Sequence, residues 1–125
     1  MDKLNEKLDE VIMFMSTIQG KTVNREAFKN ICLNSREQEI FLLLYARNGD
    51  LIDSKEIARQ LGLTQEKVEQ YLSDMLVRGI PFVKKYIEGK VYYVLDYEFR
   101  NLQAKENLIK ISESIAREMQ RNKII

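Results

Sequence analysis

The sequence contains no histidine and no tryptophan, and only one cysteine and one proline in 125 residues. Without histidine, the commonest general base and the commonest metal ligand are both missing. A single cysteine makes no intramolecular disulfide, and without histidine it builds no Cys/His zinc site. Cys32 lies in the apolar run Ile31-Cys32-Leu33, where it reads as a small buried hydrophobe. No run approaches the roughly 18 apolar residues that span a bilayer. The stretch MDKLNEKLDE carries too many acids to read as a signal or transit peptide. These absences point to a reduced, cytoplasmic protein with no cofactor, no metal and no membrane partner. Its work is expected to be binding rather than catalysis.

Charge is almost balanced, with 20 Lys+Arg against 19 Asp+Glu and a formal net charge of +1. Overall basicity therefore gives no signal for nucleic acid, and any such signal must be local. Periodicity and turn residues divide the chain into residues 1–34, 35–97 and 98–125. Pro81 and the glycines Gly49, Gly62, Gly79 and Gly89 all fall in the middle section. The two ends are left as uninterrupted helix candidates.

The first section places Leu4, Leu8, Val11, Met15 and Ile18 at alternating steps of four and three. Such a seam is too short to hold a free coiled coil, so it needs a partner surface. A second short helix is expected from Val23 to Leu33, capped by Thr22. In the last section, a helix from about Glu98 to Asn122 is expected, with Leu102, Leu108, Ile111, Ile115 and Met119 at helical spacing. At 1.5 Å per residue it would extend about 35 Å, more than a small core covers. Both stripes therefore read as arms of a homodimer, with Leu4, Leu8, Val11, Met15, Ile18, Leu108, Ile111, Ile115 and Met119 in the seam. The alternative for the C-terminal stripe is a helix packed within its own chain, and its length favours the dimer.

The middle section is denser in signals. Ser35 opens a helix with Gln38 in capping-box position, and Asn48-Gly49 ends it. Leu51-Ile52 is a short extended piece. Asp53 or Ser54 caps the next helix, Gly62 allows a sharp turn, and Thr64 caps the helix that buries Val68, Leu72 and Met75. FVKKYI and KVYYVL then flank Glu88-Gly89, the pattern of a two-residue β-hairpin.

From Ser35 to Asp96, about half the chain, the sequence resembles the winged helix-turn-helix family. SREQEIFLLLYARNG is similar to its first core helix, and SKEIARQLGLTQEKVEQYLSDMLVRGIP is similar to the helix-turn-helix with its exit. Ala58, Gly62, Leu63 and Val68 stand at that family's packing positions. Gly79-Ile80-Pro81 before a Lys-rich hairpin resembles the winged domain of the biotin-operon repressor type. The terminal helices resemble those of MarR-type dimeric regulators in arrangement. The resemblance implies a mainly α fold with a small β-hairpin wing and N- and C-terminal dimerisation helices. It also implies a homodimeric transcriptional regulator that binds double-stranded DNA, with one helix in the major groove.

On that expectation Gln65, Lys67 and Gln70 read bases, since Gln suits adenine and Lys suits guanine. Ser35, Arg36, Ser54, Lys55 and Thr64 lie at helix starts that can hold phosphate, and Lys84, Lys85 and Lys90 supply the wing's cations. Against this, Glu66, Glu69 and Asp74 make the presumed reading helix acidic. An alternative is a winged-helix module turned to protein contacts. The sequence names neither an operator nor a small-molecule effector.

Overall fold

Side-chain caps begin four of the six described helices in the computed structural model, which describes residues 25–47 and 49–125. In chain order the elements are α1 (Arg25–Lys29), α2 (Ser35–Ala46), β1 (Ile52–Asp53), α3 (Ser54–Leu61), α4 (Gln65–Val77), β2 (Phe82–Ile87), β3 (Lys90–Leu95), α5 (Tyr97–Glu106) and α6 (Glu113–Arg121). The described chain is thus mostly helical, with one small antiparallel sheet of strand order β1-β3-β2. No helix among the described residues is long and apolar enough to cross a membrane. The expected seam from Leu4 to Ile18 and the expected cap Thr22 lie outside the described residues, as does Asn48.

Asp53 accepts a hydrogen bond from Glu56 N at 2.9 Å, and Thr64 accepts one from Lys67 N at 3.2 Å. These two caps start α3 and α4 as the sequence suggests. The cap of α2 is Asn34, one residue before the expected Ser35. Its Oδ1 accepts from Glu37 N at 2.9 Å, while Asn34 N donates to Glu37 Oε1 at 3.0 Å. A carboxylate closes this reciprocal box better than the Gln38 amide, and Glu37 gains a second partner in Arg78. Gln38 instead donates to Leu33 O at 2.9 Å and accepts from Ser112 N at 2.8 Å.

The helix expected over 23–33 is confined to Arg25–Lys29 among the described residues. Leaving the helix lets Leu33 enter the core and Asn34 reach its cap position. The same departure corrects the reading of Cys32, which is exposed rather than buried.

In the hairpin, Glu88 and Gly89 have φ of 48° and 81°. Two consecutive positive φ values give the turn whose twist matches that of the flanking strands. β1 closes the sheet by pairing Ile52 with Tyr93. One sheet face, carrying Phe82, Tyr93 and Leu95, packs into a core with Ile40, Phe41, Leu44, Ile57, Val68, Leu72 and Met75.

The last section departs most from expectation. The helix breaks at Asn107, which ends α5 in the left-handed region at φ 48°. Asparagine tolerates that conformation, so no glycine is needed. Gln103 then clamps the break: Ile109 N donates to its Oε1 at 2.9 Å, and its Nε2 donates to Ile109 O at 2.9 Å. Leu108 and Ile109 are fully buried, and α6 folds back on α2. Leu108 and Met119 therefore belong to the protomer's own core, and Ile111 and Ile115 pack half-buried against it. Much of the expected C-terminal dimer stripe is covered within one chain.

Candidate nucleic-acid interface

α4 buries Val68, Leu72 and Met75. At 100° per residue, this turns Glu66, Lys67, Gln70, Ser73, Asp74 and Val77 toward solvent. Gln65 and Glu69 flank that face on the side of α3. Ser54, the first residue of α3, is only 3% exposed. Its hydroxyl donates to Glu69 Oε2 at 2.9 Å, and Gln65 Nε2 donates to Ser54 Oγ at 3.1 Å and to Glu69 Oε2 at 3.4 Å. The Ser54 side chain, expected beside phosphate, is taken up instead as a buried strut between the two helices. Gln70 Nε2 donates to Asp74 Oδ1 at 3.1 Å.

Thr64 caps α4, while Lys55 and Lys67 stay exposed without an ion-pair partner among the described residues. Arg59, also on α3, is neutralised by Glu56. Hydrogen bonds from Arg59 and then Gln60 hold the Glu56 carboxyl down at about 2. Ser35 is exposed at the start of α2. Arg36 pairs with Glu39 at 2.9 Å and lines a cavity of about 250 Å³ with Gln60, Glu118 and Met119. This places Arg36 beside the last turn of α3, the opposite end from Ser54 and Gln65. Arg36 does not join them.

Strand register divides the wing lysines. Lys84 pairs with Tyr93, Lys85 with Tyr92, and Ile87 with Lys90. Alternation puts Lys84 and Tyr86 on the face that packs against the helices, and Lys85 and Lys90 on the other. Tyr93 marks the first face. Burial, and then the nearby charge of Glu69, push its hydroxyl pKa up. On the opposite face, Lys85 lines a cavity of about 320 Å³ with Val83, Val94, Tyr97 and Arg100. Arg100 itself lies over the Tyr45 ring and donates to Tyr45 O at 3.3 Å.

No family model, curated protein or solved structure matches this chain.

Three features of the site were missed from sequence. Glu69 reads in the sequence only as a charge, although its spacing of four from Gln65 on one helix flank is the available signal. Val77 is 84% exposed beside the acids of α4, and its place half a turn round the helix from Val68 is the available signal. Arg78 reaches back from the end of α4 to Cys32 O at 2.6 Å and to Glu37. It fastens the start of α2 to the end of α4 across 41 residues of sequence.

Proposed function

We propose that the chain is a sequence-specific double-stranded DNA-binding transcriptional regulator of winged helix-turn-helix type. α4 would enter the major groove, and the hairpin would meet the backbone or minor groove. The observation that carries this reading is the order α2–β1–α3–α4–β2–β3 with β1 added to β3. That order leaves the polar face of α4 open, with Lys84 and Tyr86 on the adjoining side of the sheet. Lys55 at the start of α3 and Lys67 on α4 add free cations to the same region. The proposal includes a cytoplasmic homodimer, held by the Leu4-to-Ile18 stripe and by what Ile111 and Ile115 leave uncovered. It assigns no cofactor and no effector.

A second reading, a protein-interaction module, is favoured by one observation. The open face of α4 carries Glu66, Asp74 and the exposed Val77, a mixture better suited to a protein than to phosphate.

Anisotropy titration of a mixed-sequence duplex at stepped salt separates the two. A DNA reader binds tightly at low salt, with log affinity falling linearly in log salt. Lys67→Ala and Lys84→Ala each flatten the slope by up to ~0.9 for each phosphate left without its cation. Lys85→Ala and Lys90→Ala, on the far face of the hairpin, leave it unchanged. No binding at low salt overturns the DNA reading in favour of the interaction module.

A further inference from the structure

We propose that Gln65 reads an exocyclic amino group in the major groove, adenine N6 or cytosine N4, through its side-chain oxygen alone. The inference rests on the DNA-binding reading of α4 and names the base chemistry that this helix recognises.

Available protons decide the orientation of the amide. Glu69 Oε2 lies 2.9 Å from Ser54 Oγ, and a carboxylate can only accept. Ser54 has one hydroxyl proton, so it gives that proton to Glu69. The Ser54 oxygen must then act as acceptor toward Gln65, 3.1 Å away. Only the amide NH₂ can satisfy it. The same nitrogen is 3.4 Å from Glu69 Oε2, which fixes the amide orientation a second time. Because Ser54 is buried, the anchor is held by the packing of α3 and not by a mobile surface chain. Oε1 is what remains for a ligand. Gln70 is held less fully: its nitrogen has one acceptor, Asp74 at 3.1 Å, which leaves it a second N–H to donate.

A free glutamine reads adenine bidentately, using N6 and N7. A glutamine held by its nitrogen offers one acceptor and no donor. Adenine and cytosine both present an amino group in the major groove, whereas guanine and thymine present only acceptors there. This gives the acidic helix a chemical purpose. Carboxylate and amide oxygens suit amino groups in the groove even though they repel phosphates beside it.

The test is selection of bound duplexes from a randomised pool by the full chain, followed by affinity measurement on the selected site. Gln65→Ala marks the position where base preference flattens. There the wild-type chain is expected to accept adenine and cytosine within about threefold, and to bind guanine or thymine about tenfold or more weakly. Replacing the adenine by 7-deazaadenine, which keeps N6 and lacks N7, is expected to change affinity by less than about twofold. Glu69→Ala frees the Ser54 hydroxyl to donate to the amide oxygen, so the Gln65 amide can turn over and present its NH₂ to the groove. Affinity for the cytosine site should then fall by about tenfold.

Rejection of cytosine by the wild-type chain, or a tenfold loss with 7-deazaadenine, overturns the inference and leaves the DNA reading intact. So does a selected site at which Gln65→Ala flattens nothing. The two wild-type probes need no variant to fold. A chain that selects no duplex and binds none at low salt overturns both.

Discussion

Asp96 ends the hairpin and begins α5 with one residue. Its N–H donates to Pro81 O at 2.9 Å, and its Oδ2 accepts from Phe99 N at 3.0 Å. Burial, helped by the charge of Glu98, pushes its carboxyl pKa up despite that hydrogen bond. Folding therefore favours the protonated acid. The cost of ionising it is absent below the unfolded value and grows as pH rises through the folded value. Asp96→Asn keeps the cap and removes the charge. Its melting temperature should exceed that of the wild type near pH 7 and converge with it near roughly pH 3. Asp96→Ala also loses the cap, about 1 kcal/mol of stability. Glu37, with its side chain 2% exposed, has Arg78 as its ion-pair partner. Arg78→Ala strands that carboxylate, and denaturant unfolding should show a loss of about 2–4 kcal/mol. Glu37→Gln should lose less, because glutamine still closes the capping box with Asn34.

The elements divide by how local their causes are. Asp53, Thr64 and the Glu88-Gly89 turn act within four residues, and their helices and hairpin were legible in the sequence. The shift of the α2 cap from Ser35 to Asn34 came from two adjacent residues that both cap well. What chose between them was Arg78, distant in sequence. The break in the last section was hidden differently. Leu102, Leu108, Ile111 and Ile115 keep helical spacing through a stretch that is not helical, and neither glycine nor proline marks it. The available signals were Asn107, able to turn left-handed, and the adjacent pair Leu108-Ile109, both buried. Gln103 enforces the break with two hydrogen bonds to Ile109. Gln103→Leu leaves two buried backbone groups without partners, at about 1–3 kcal/mol each. Hydrogen exchange of that variant should show reduced protection over residues 107–112 before the rest of the chain. Asn107→Gly should be tolerated, and Asn107→Val should not.

For the whole molecule, association and recognition separate. With Leu108 and Met119 in the protomer's own core, the proposed dimer falls chiefly to the Leu4-to-Ile18 stripe. Leu8→Asp is then expected to shift sedimentation at micromolar concentration from dimer to monomer. Ile115→Asp should instead lower the melting temperature, because Ile115 packs against the core. The cations of the interface were legible as residue types but not as a surface. Strand register alone decides that Lys84 shares a face with Tyr93 while Lys85 and Lys90 do not. The role of Glu69 depends on its contact with Ser54 on a neighbouring helix, which spacing along one helix does not reveal. The most direct measurement for the central claim follows backbone amide shifts of the labelled chain while a selected duplex is added at low salt. The largest changes should fall on residues 64–74 and on Lys84 and Tyr86, with α6 and the cavity beside Arg100 unmoved. Shifts confined to that cavity or to α6, or none at saturating duplex, would contradict the account.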